Sequence, residues 1–128
     1  MAMQEWGLHK RIALHIISWF KGGVASLLFG FMVATYFLSM WISNTATAVM
    51  MVSIGLAVIK NYEEILGEND EAKIFSQGLM ISIAHAATIG GMSTLVGTPP
   101  NMALVRIFSM NFPEASEISF ASWMLMGI

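Results

Sequence analysis

The sequence predicts an all-α membrane protein, and two observations carry this prediction. Hydrophobic residues make up 56% of the chain and charged residues only 11%, against about 25% charged in an average soluble domain. The few charges are also segregated, because residues 22–59 and residues 74–105 contain no Asp, Glu, Lys or Arg. Each stretch exceeds the run of about 18 apolar residues that is typical of a membrane span. A soluble helical bundle would need polar faces every turn or two, and these stretches offer mainly Ser, Thr, Asn, Gln and Gly, so that class is disfavoured.

Composition also limits the function classes. A net charge of -2 without any cluster of Lys and Arg provides no surface for nucleic acid. The absence of cysteine removes disulfides and thiolate metal sites. No nucleophile, base and orienting residue occur together, and no metal-ligand spacing is present. We therefore expect no nucleic-acid partner, no organic cofactor and no enzymatic activity.

The chain begins with a segment that is too short to cross a bilayer. We assign residues 1–23 to the end of a preceding helix and an interfacial amphipathic helix. From Leu8 to Lys21, apolar side chains recur on one helical face while the cationic side chains fall on the other. Such a helix is about 21 Å long, and its indole and cations suit the headgroup region. A helix packed on the rest of the protein just outside the membrane explains the pattern equally well.

Residues 24–59 are predicted to form a re-entrant hairpin. As one straight helix this stretch would measure about 54 Å, nearly twice the roughly 30 Å hydrocarbon core, yet it falls short of two comfortable spans. Two half-helices, 24–42 and 46–59, that meet at Ser43-Asn44-Thr45 resolve this mismatch. Non-helical backbone is tolerated at that depth only where it lines a protein-enclosed or watery cavity. The flanking lysines then lie on one side of the membrane, which we predict to be cytoplasmic.

An acidic segment and a second, broken helix follow. Residues 60–73 carry most of the acidic side chains, which predicts a solvated cytoplasmic loop. Residues 74–108 are predicted to be a discontinuous transmembrane helix, because the Pro99-Pro100 pair removes two backbone donors and stops the helix near Gly97. Residues 109–128 are predicted to be an external loop and the start of a truncated next helix.

Each break predicts a small binding site. A helix interrupted inside a membrane exposes carbonyls at the end of its first half and amides at the start of its second half. The carbonyl end suits a dehydrated cation, and the amide end suits an anion. Ser43, Asn44 and Thr45 are all of residue types that are strong helix N-caps, and their oxygens can also bind a hard cation. Ser39 lies one turn earlier on the same face.

The second break offers a similar arrangement. Gly97 permits the left-handed backbone of a helix end, Thr98 can cap the next helix, and Pro99 suits its first position. Both breaks supply neutral oxygens without carboxylates, which favours a monovalent cation over a divalent one. Buried polar side chains are costly unless they are partnered, which favours a binding role for the Ser-Asn-Thr triplet. Gly90 and Gly91, by contrast, are interpreted as residues of close helix packing.

Two motifs resemble one known family. Residues 39–48, Ser-Met-Trp-Ile-Ser-Asn-Thr-Ala-Thr-Ala, resemble the sodium-site signature of the divalent anion:sodium symporters, which include the sodium/dicarboxylate symporters. Residues 93–101, Ser-Thr-Leu-Val-Gly-Thr-Pro-Pro-Asn, resemble the unwound fifth helix of the same family. The order of the motifs, with an acidic segment between them, makes the resemblance specific. It covers nearly the whole chain from Trp6 onward.

The resemblance implies a fold and a site. The implied protein is a homodimeric, multi-pass elevator transporter of the bacterial inner (plasma) membrane, built from two inverted repeats. Matching positions imply a sodium site, for the coupling ion, formed by Ser39, Ser43, Asn44 and Gly97. They also imply contacts to a carboxylate substrate of the succinate, malate or citrate class from Asn44 and Thr45. Thr98 and Pro99 lie close enough in the motif to be further candidates for lining the same substrate-binding cavity. No second Ser-Asn-Thr occurs in the chain, so we expect a fragment of the N-terminal repeat that does not transport alone.

Three functional hypotheses follow. The first is a fragment of a sodium-coupled di- or tricarboxylate symporter in the lipid bilayer. The second is a sulfate transporter or a sodium-independent dicarboxylate exchanger on the same scaffold. The third, of a different class, is a non-transporting membrane subunit in which both breaks serve packing. Uptake with and without sodium, in competition with succinate or sulfate, separates the first two hypotheses.

Overall fold

A computed structural model of the chain describes residues 11, 14, 15, 18, 22–67 and 69–128. These residues contain five α-helices and no β-strand, so the predicted all-helical class is confirmed for them. The interfacial helix predicted over 8–21 falls mostly outside the described residues and stays a prediction. The helices are α1 (Gly23–Ser39), α2 (Asn44–Leu66), α3 (Asp70–Met92), α4 (Pro99–Asn111) and α5 (Phe120–Gly127).

The first break lies at the Ser-Asn-Thr triplet. Helix α1 ends at Ser39, and residues 40–43 connect it to α2, which begins at Asn44. Ser43 is the N-cap of α2, and its hydroxyl oxygen accepts a hydrogen bond from the Ala46 amide at 3.4 Å. A serine in this position satisfies one of the amides that a new helix leaves free. The triplet therefore starts a helix, as its N-cap propensity predicts.

The segment predicted to be an acidic loop, residues 60–73, is mostly helical. Helix α2 continues to Leu66, and only residues 67–69 separate it from α3. The helix persists because its apolar stripe persists: the Tyr62 ring packs against Phe75 of α3, with 4.8 Å between the ring centroids. Glutamate is also a good helix former, so most of the acidic side chains lie on the turns of two helices.

Two residues define the short connection between α2 and α3. Gly67 ends α2 with a φ of 77, a left-handed conformation that glycine adopts without strain. Asn69 caps α3, because its side-chain oxygen accepts a hydrogen bond from the Ala72 amide at 2.9 Å. Asp70 and Glu71 then lie in the first turn of α3, where the helix dipole favours negative charge.

Helix α3 packs against both α1 and α2 and carries the core. Its buried stripe contacts buried apolar side chains of the other two helices, and together these side chains form a hydrophobic core cluster. The cluster consists of Phe75, Leu79 and Ile83 from α3, Phe31, Ala34 and Leu38 from α1, and Met51, Ile54 and Ile59 from α2.

Close approaches fix the relative directions of these three helices. Residue 36 lies against residue 90, and residue 40 against residue 94, so α1 and α3 run in the same direction. Helix α2 runs the opposite way, because Asn44 lies against Gly91 near one end of α3 while Gly55 lies against Leu79 nearer the other. The connection between α1 and α2 therefore lies beside the C-terminal end of α3, next to the second break.

The second break is wider than predicted. Helix α3 ends at Met92 rather than near Gly97, and residues 93–98 separate it from α4. Thr98 occupies the N-cap position of α4 and Pro99 its first position, as predicted, although the Thr98 hydroxyl makes no capping hydrogen bond. The left-handed backbone predicted at Gly97 is wrong, because among the described residues positive φ occurs only at Gly23 and Gly67.

Within the part of the chain that the structure describes, two helices are long and apolar enough to cross a membrane, over Asn44–Ile65 and Asp70–Met92. Helix α1 has 17 residues and is therefore about 26 Å long, so it is shorter than these two. Helix α2 exceeds the half-helix predicted over 46–59, since it has 23 residues. Large apolar side chains are exposed on the outer faces of α2 and α3, as at Leu56 and Ile81. Such faces fit contact with lipid or with other apolar helices.

Candidate functional site

A small polar network joins the end of α1 to the start of α2. Ser39 is fully buried, and its hydroxyl oxygen lies 2.6 Å from the Ala87 carbonyl oxygen and 2.9 Å from Oδ1 of Asn44. Because a serine hydroxyl has one proton, it donates to one of these oxygens at a time and keeps its lone pairs as acceptors. Ser39 and Asn44, both predicted to bind sodium, are therefore in direct contact across the first break.

The two breaks converge on Gly91 of α3. A Cβ atom at Gly91 would lie 1.9 Å from Oδ1 of Asn44, so the Asn44 side chain packs directly on the α3 backbone. A Cβ atom at Gly97 would lie 2.5 Å from the Gly91 carbonyl oxygen. Gly97 is thus required for close backbone approach rather than for a left-handed conformation. Asn44 from the first break and Gly97 from the second therefore both pack against Gly91.

Thr94 and Asn101 hold the second break in place. The buried Thr94 hydroxyl donates a hydrogen bond to the Met40 carbonyl oxygen and accepts one from the Gly97 amide at 3.1 Å. The Asn101 side-chain amide donates to the carbonyl oxygens of Gly91 and Thr94, at 2.9 and 2.7 Å. Thr94 therefore connects the two breaks through its hydrogen bonds, and the hydrogen bonds of Asn101 hold the start of α4 against the end of α3.

The C-terminal end of α3 differs from the open carbonyl end that a broken helix predicts. The carbonyl oxygens of residues 90–92 accept hydrogen bonds from the Ser93 amide, the Asn101 side chain and the Trp123 indole, at 3.2, 2.9 and 3.0 Å. Helix α4 begins with two prolines, which have no amide hydrogen to offer an anion. The second break is therefore largely satisfied by internal hydrogen bonds.

The start of α2, by contrast, keeps free donors. The Ala46 amide donates to the Ser43 hydroxyl, and the Thr47 amide donates to the Ser43 carbonyl oxygen at 3.0 Å. Asn44 and Thr45 occupy the first two helical positions, where an amide has no intrahelical partner. Their amides and the positive end of the helix dipole together suit an anion.

The remaining predicted residues lie at the two helix starts. Ser43 and Thr45 are exposed, Thr98 is half-buried, and Pro99 is exposed in the first turn of α4. Thr45 adjoins the Asn44 contact with Gly91, and Thr98 adjoins the Gly97 contact with the same glycine. A common anion between Thr45, Thr98 and Pro99 is not decided by these positions and stays a prediction.

Only neutral oxygens are available to a cation in this arrangement. Among the described residues, no group of His, Cys, Asp and Glu is placed to hold a metal ion. The Gly97 amide is already bonded to Thr94, so Gly97 has its carbonyl oxygen left to offer. Hydroxyl, amide and carbonyl oxygens without carboxylates suit an alkali cation better than a divalent one.

Sequence reasoning missed the structural roles of Gly91, Thr94 and Asn101. Gly91 was interpreted only as a residue of helix packing, although its missing side chain also makes room for Asn44. Thr94 and Asn101 belong to the recognised motif over 93–101, but their hydrogen bonds reach Met40 and Gly91 in other elements. Their presence inside the motif was the available signal, because a buried hydroxyl and a buried amide need partners.

Comparisons with known proteins agree with the two motifs. A family model described as "Citrate transporter" matches residues 1–128. The chain is 46% identical to the sodium-dependent dicarboxylate transporter SdcS of Staphylococcus saprophyticus and 45% identical to the protein of the same name from Staphylococcus aureus. Each alignment covers 100% of this chain and 25% of the relative, so the chain spans about a quarter of their length. The resemblance to sodium/dicarboxylate symporters is confirmed.

Proposed function

The chain belongs to the citrate transporter family, and on that premise we propose that it forms one half of the solute site of a sodium-coupled carboxylate transporter. The observation that carries the proposal is the convergence of Asn44 and Gly97 on Gly91. Two helix breaks that are separate in sequence thereby present neutral oxygens and free amides in one place. Transporters commonly place ion and substrate sites at such discontinuous helices.

In this proposal the cation binds beside the Ser39–Asn44 contact. Its ligands are side-chain oxygens of Ser39, Ser43 and Asn44 and the carbonyl oxygen of Gly97. The hydrogen bond from Ser39 to the α3 backbone supports the proposal, because it fixes one of these oxygens in a fully buried position. The neutral donor set supports sodium, as does the name of the relatives, which are sodium-dependent transporters.

The anion binds at the start of α2. The backbone amides of Asn44 and Thr45 face no intrahelical acceptor and meet one carboxylate of a di- or tricarboxylate. Thr98 contributes its hydroxyl, which makes no capping hydrogen bond to α4. Pro99 contributes shape only, since it has no amide hydrogen. The second carboxylate is met by residues of the complete transporter outside this chain.

The membrane topology follows from the same breaks. We propose that α1 and α2 form a re-entrant hairpin and that α3 and α4 form a discontinuous transmembrane helix, with both breaks at one depth. The side-by-side packing of residues 40 and 94 supports equal depth. In the complete protein a second, inverted repeat supplies the rest of the site, and two copies form a homodimer.

Uptake by the complete protein in proteoliposomes tests the proposal. Wild-type protein is expected to take up succinate only with sodium, and excess sulfate is not expected to compete. Asn44→Ala and Ser43→Ala should each raise the sodium concentration for half-maximal uptake at least about tenfold, because each removes an oxygen that meets a charged group. Ser53→Ala is the matched control, since that exposed hydroxyl only bonds the Val49 carbonyl oxygen of its own helix.

The outcomes separate the alternatives. Succinate uptake that is independent of sodium would favour an exchanger, and competition by sulfate would favour a sulfate transporter. Absence of uptake by a well-folded wild-type protein would favour a non-transporting subunit. If Asn44→Ala and Ser43→Ala both retain wild-type sodium dependence, the proposed site is wrong.

A further inference from the structure

Thr47 on α2 differs from Thr35 on α1 and Thr88 on α3. Its side chain is 0% exposed, and its hydroxyl is a buried side-chain group without a hydrogen-bond partner. Thr35 and Thr88 instead donate to the carbonyl oxygen four residues earlier, at 2.6 and 3.0 Å. That bond is the usual solution for a helical threonine. The equivalent acceptor for Thr47 is the Ser43 carbonyl oxygen, which receives only the Thr47 amide.

The position of Thr47 relates this hydroxyl to the proposed cation site. Thr47 lies three residues after Asn44 and one turn after Ser43, on the face that continues through the buried Met51. Side chains in a helix point back toward its N-terminus, so the Thr47 side chain points toward the turn that carries Asn44. Asn44 packs on Gly91, so this face of α2 is the one that meets α3 beside the second break.

A buried hydroxyl without a partner is unfavourable, since it has lost its hydrogen bonds to water and has formed none within the protein. Its persistence next to a proposed ion site indicates that its partner is the bound ion. We propose that the Thr47 hydroxyl oxygen is a further ligand of the cation that binds between the two breaks. This proposal rests on the proposed sodium site and adds a residue to it.

The ligand role predicts opposite effects on the sodium-free and sodium-bound protein. Thr47→Val keeps the shape of the side chain but removes the hydroxyl. Without sodium, the thermal midpoint of the variant should equal or exceed that of the wild type, because an unsatisfied polar group has been removed. With sodium, the half-saturating concentration should rise about tenfold, because a ligand to a charged group has been lost.

The experiment uses the purified complete protein and titrates sodium chloride against choline chloride at constant ionic strength. The readouts are the sodium-induced rise in thermal midpoint, which reports binding without transport, and sodium-dependent succinate uptake. Thr35→Val is the matched control, since Thr35 is equally buried but its hydroxyl is bonded within α1. Thr47→Ser restores a hydroxyl and should keep sodium affinity within about twofold of wild type.

Weakened sodium binding in Thr47→Val, with near-normal binding in Thr47→Ser and Thr35→Val, supports the proposal. Wild-type sodium affinity in Thr47→Val overturns it and assigns the hydroxyl to a structural water or to packing. Equal weakening in Thr47→Val and Thr47→Ser also overturns it, because retaining the hydroxyl would then not retain sodium binding, and the packing of the whole side chain would be responsible. If Thr47→Val does not fold, Thr47→Ala compared with Thr47→Ser decides by the same criterion. A wild-type protein that does not respond to sodium refutes the underlying site instead.

Discussion

Substituting single glycines of α3 by alanine should separate stability from ion binding within one helix. Gly91 is the informative position, because a Cβ atom there would lie 1.9 Å from Oδ1 of Asn44, whereas ordinary contact begins at 3.4 Å. The Asn44 oxygen must therefore move by about 1.5 Å, the difference between these distances, which breaks its 2.9 Å contact with Ser39. Gly91→Ala thus acts on the side chain that the proposed cation site depends on.

The expected magnitudes follow from the groups that move. Loss of one neutral hydrogen bond lowers the free energy of unfolding by about 0.5–1.5 kcal/mol. Alanine in place of glycine within a helix raises it by about 0.5–1 kcal/mol, so the two effects nearly cancel. The thermal midpoint of sodium-free Gly91→Ala should therefore change little. A displaced ligand to a charged group is worth about 1.5–3 kcal/mol, so the half-saturating sodium concentration should rise about tenfold or more.

Two other glycines of α3 provide the controls. A Cβ atom at Gly90 would lie 2.3 Å from the Tyr36 carbonyl oxygen, so Gly90→Ala must push α1 away from α3. This should lower the free energy of unfolding by about 1–3 kcal/mol or more, and with it the thermal midpoint. A Cβ atom at Gly78 would meet no other atom within 4 Å, so Gly78→Ala should leave the free energy of unfolding unchanged or raise it slightly. The assay is sodium titration of the thermal midpoint and of succinate uptake in the complete protein. Wild-type sodium affinity in Gly91→Ala would refute the reasoning.

Two further substitutions test the second break. Gly97→Ala should lower both the thermal midpoint and sodium affinity, because its Cβ would lie 2.5 Å from the Gly91 carbonyl oxygen and would separate the break from α3. Normal sodium titration of a folded Gly97→Ala protein would contradict this role. Asn101→Leu should lower the free energy of unfolding by about 1–3 kcal/mol, and with it the thermal midpoint, with and without sodium, since two buried carbonyl oxygens lose their amide donor. Thermal unfolding measures this effect, and an unchanged midpoint would show that the two bonds are dispensable.

The sequence located both breaks because their signals are local. A Ser-Asn-Thr triplet in a charge-free stretch and two successive prolines each act through backbone geometry and capping, which depend on a few neighbouring residues. Helix lengths were less predictable. Lys60 and the following glutamates indicated a loop, but packing of Tyr62 on Phe75 extends α2 to Leu66, and that contact joins different helices.

The geometry of the site depended still more on tertiary contacts. Gly97 was expected to adopt a left-handed backbone, whereas its lack of a side chain serves the approach to Gly91. The indole of Trp123 donates to the end of α3 from 31 residues away, so no local pattern could show that this helix end is capped. The unsatisfied hydroxyl of Thr47 likewise became apparent only from the structure, where Thr35 and Thr88 form hydrogen bonds that Thr47 does not form.

The two breaks differ in how many of their polar groups are already hydrogen-bonded within the protein, and this difference affects how the ion and the anion are coupled. Internal donors occupy the end of α3, so the free binding groups concentrate at the start of α2, where the Asn44 side chain is proposed to meet the cation and its amide the anion. If the two solutes bind about 6 Å apart, their opposite charges attract by about 3 kcal/mol at an effective dielectric constant of about 20. That attraction corresponds to about a hundredfold gain in anion affinity when sodium is bound, and linkage requires an equal gain for sodium when the anion is bound. In the proposed site both solutes share one residue, so neither needs a distant conformational relay to sense the other.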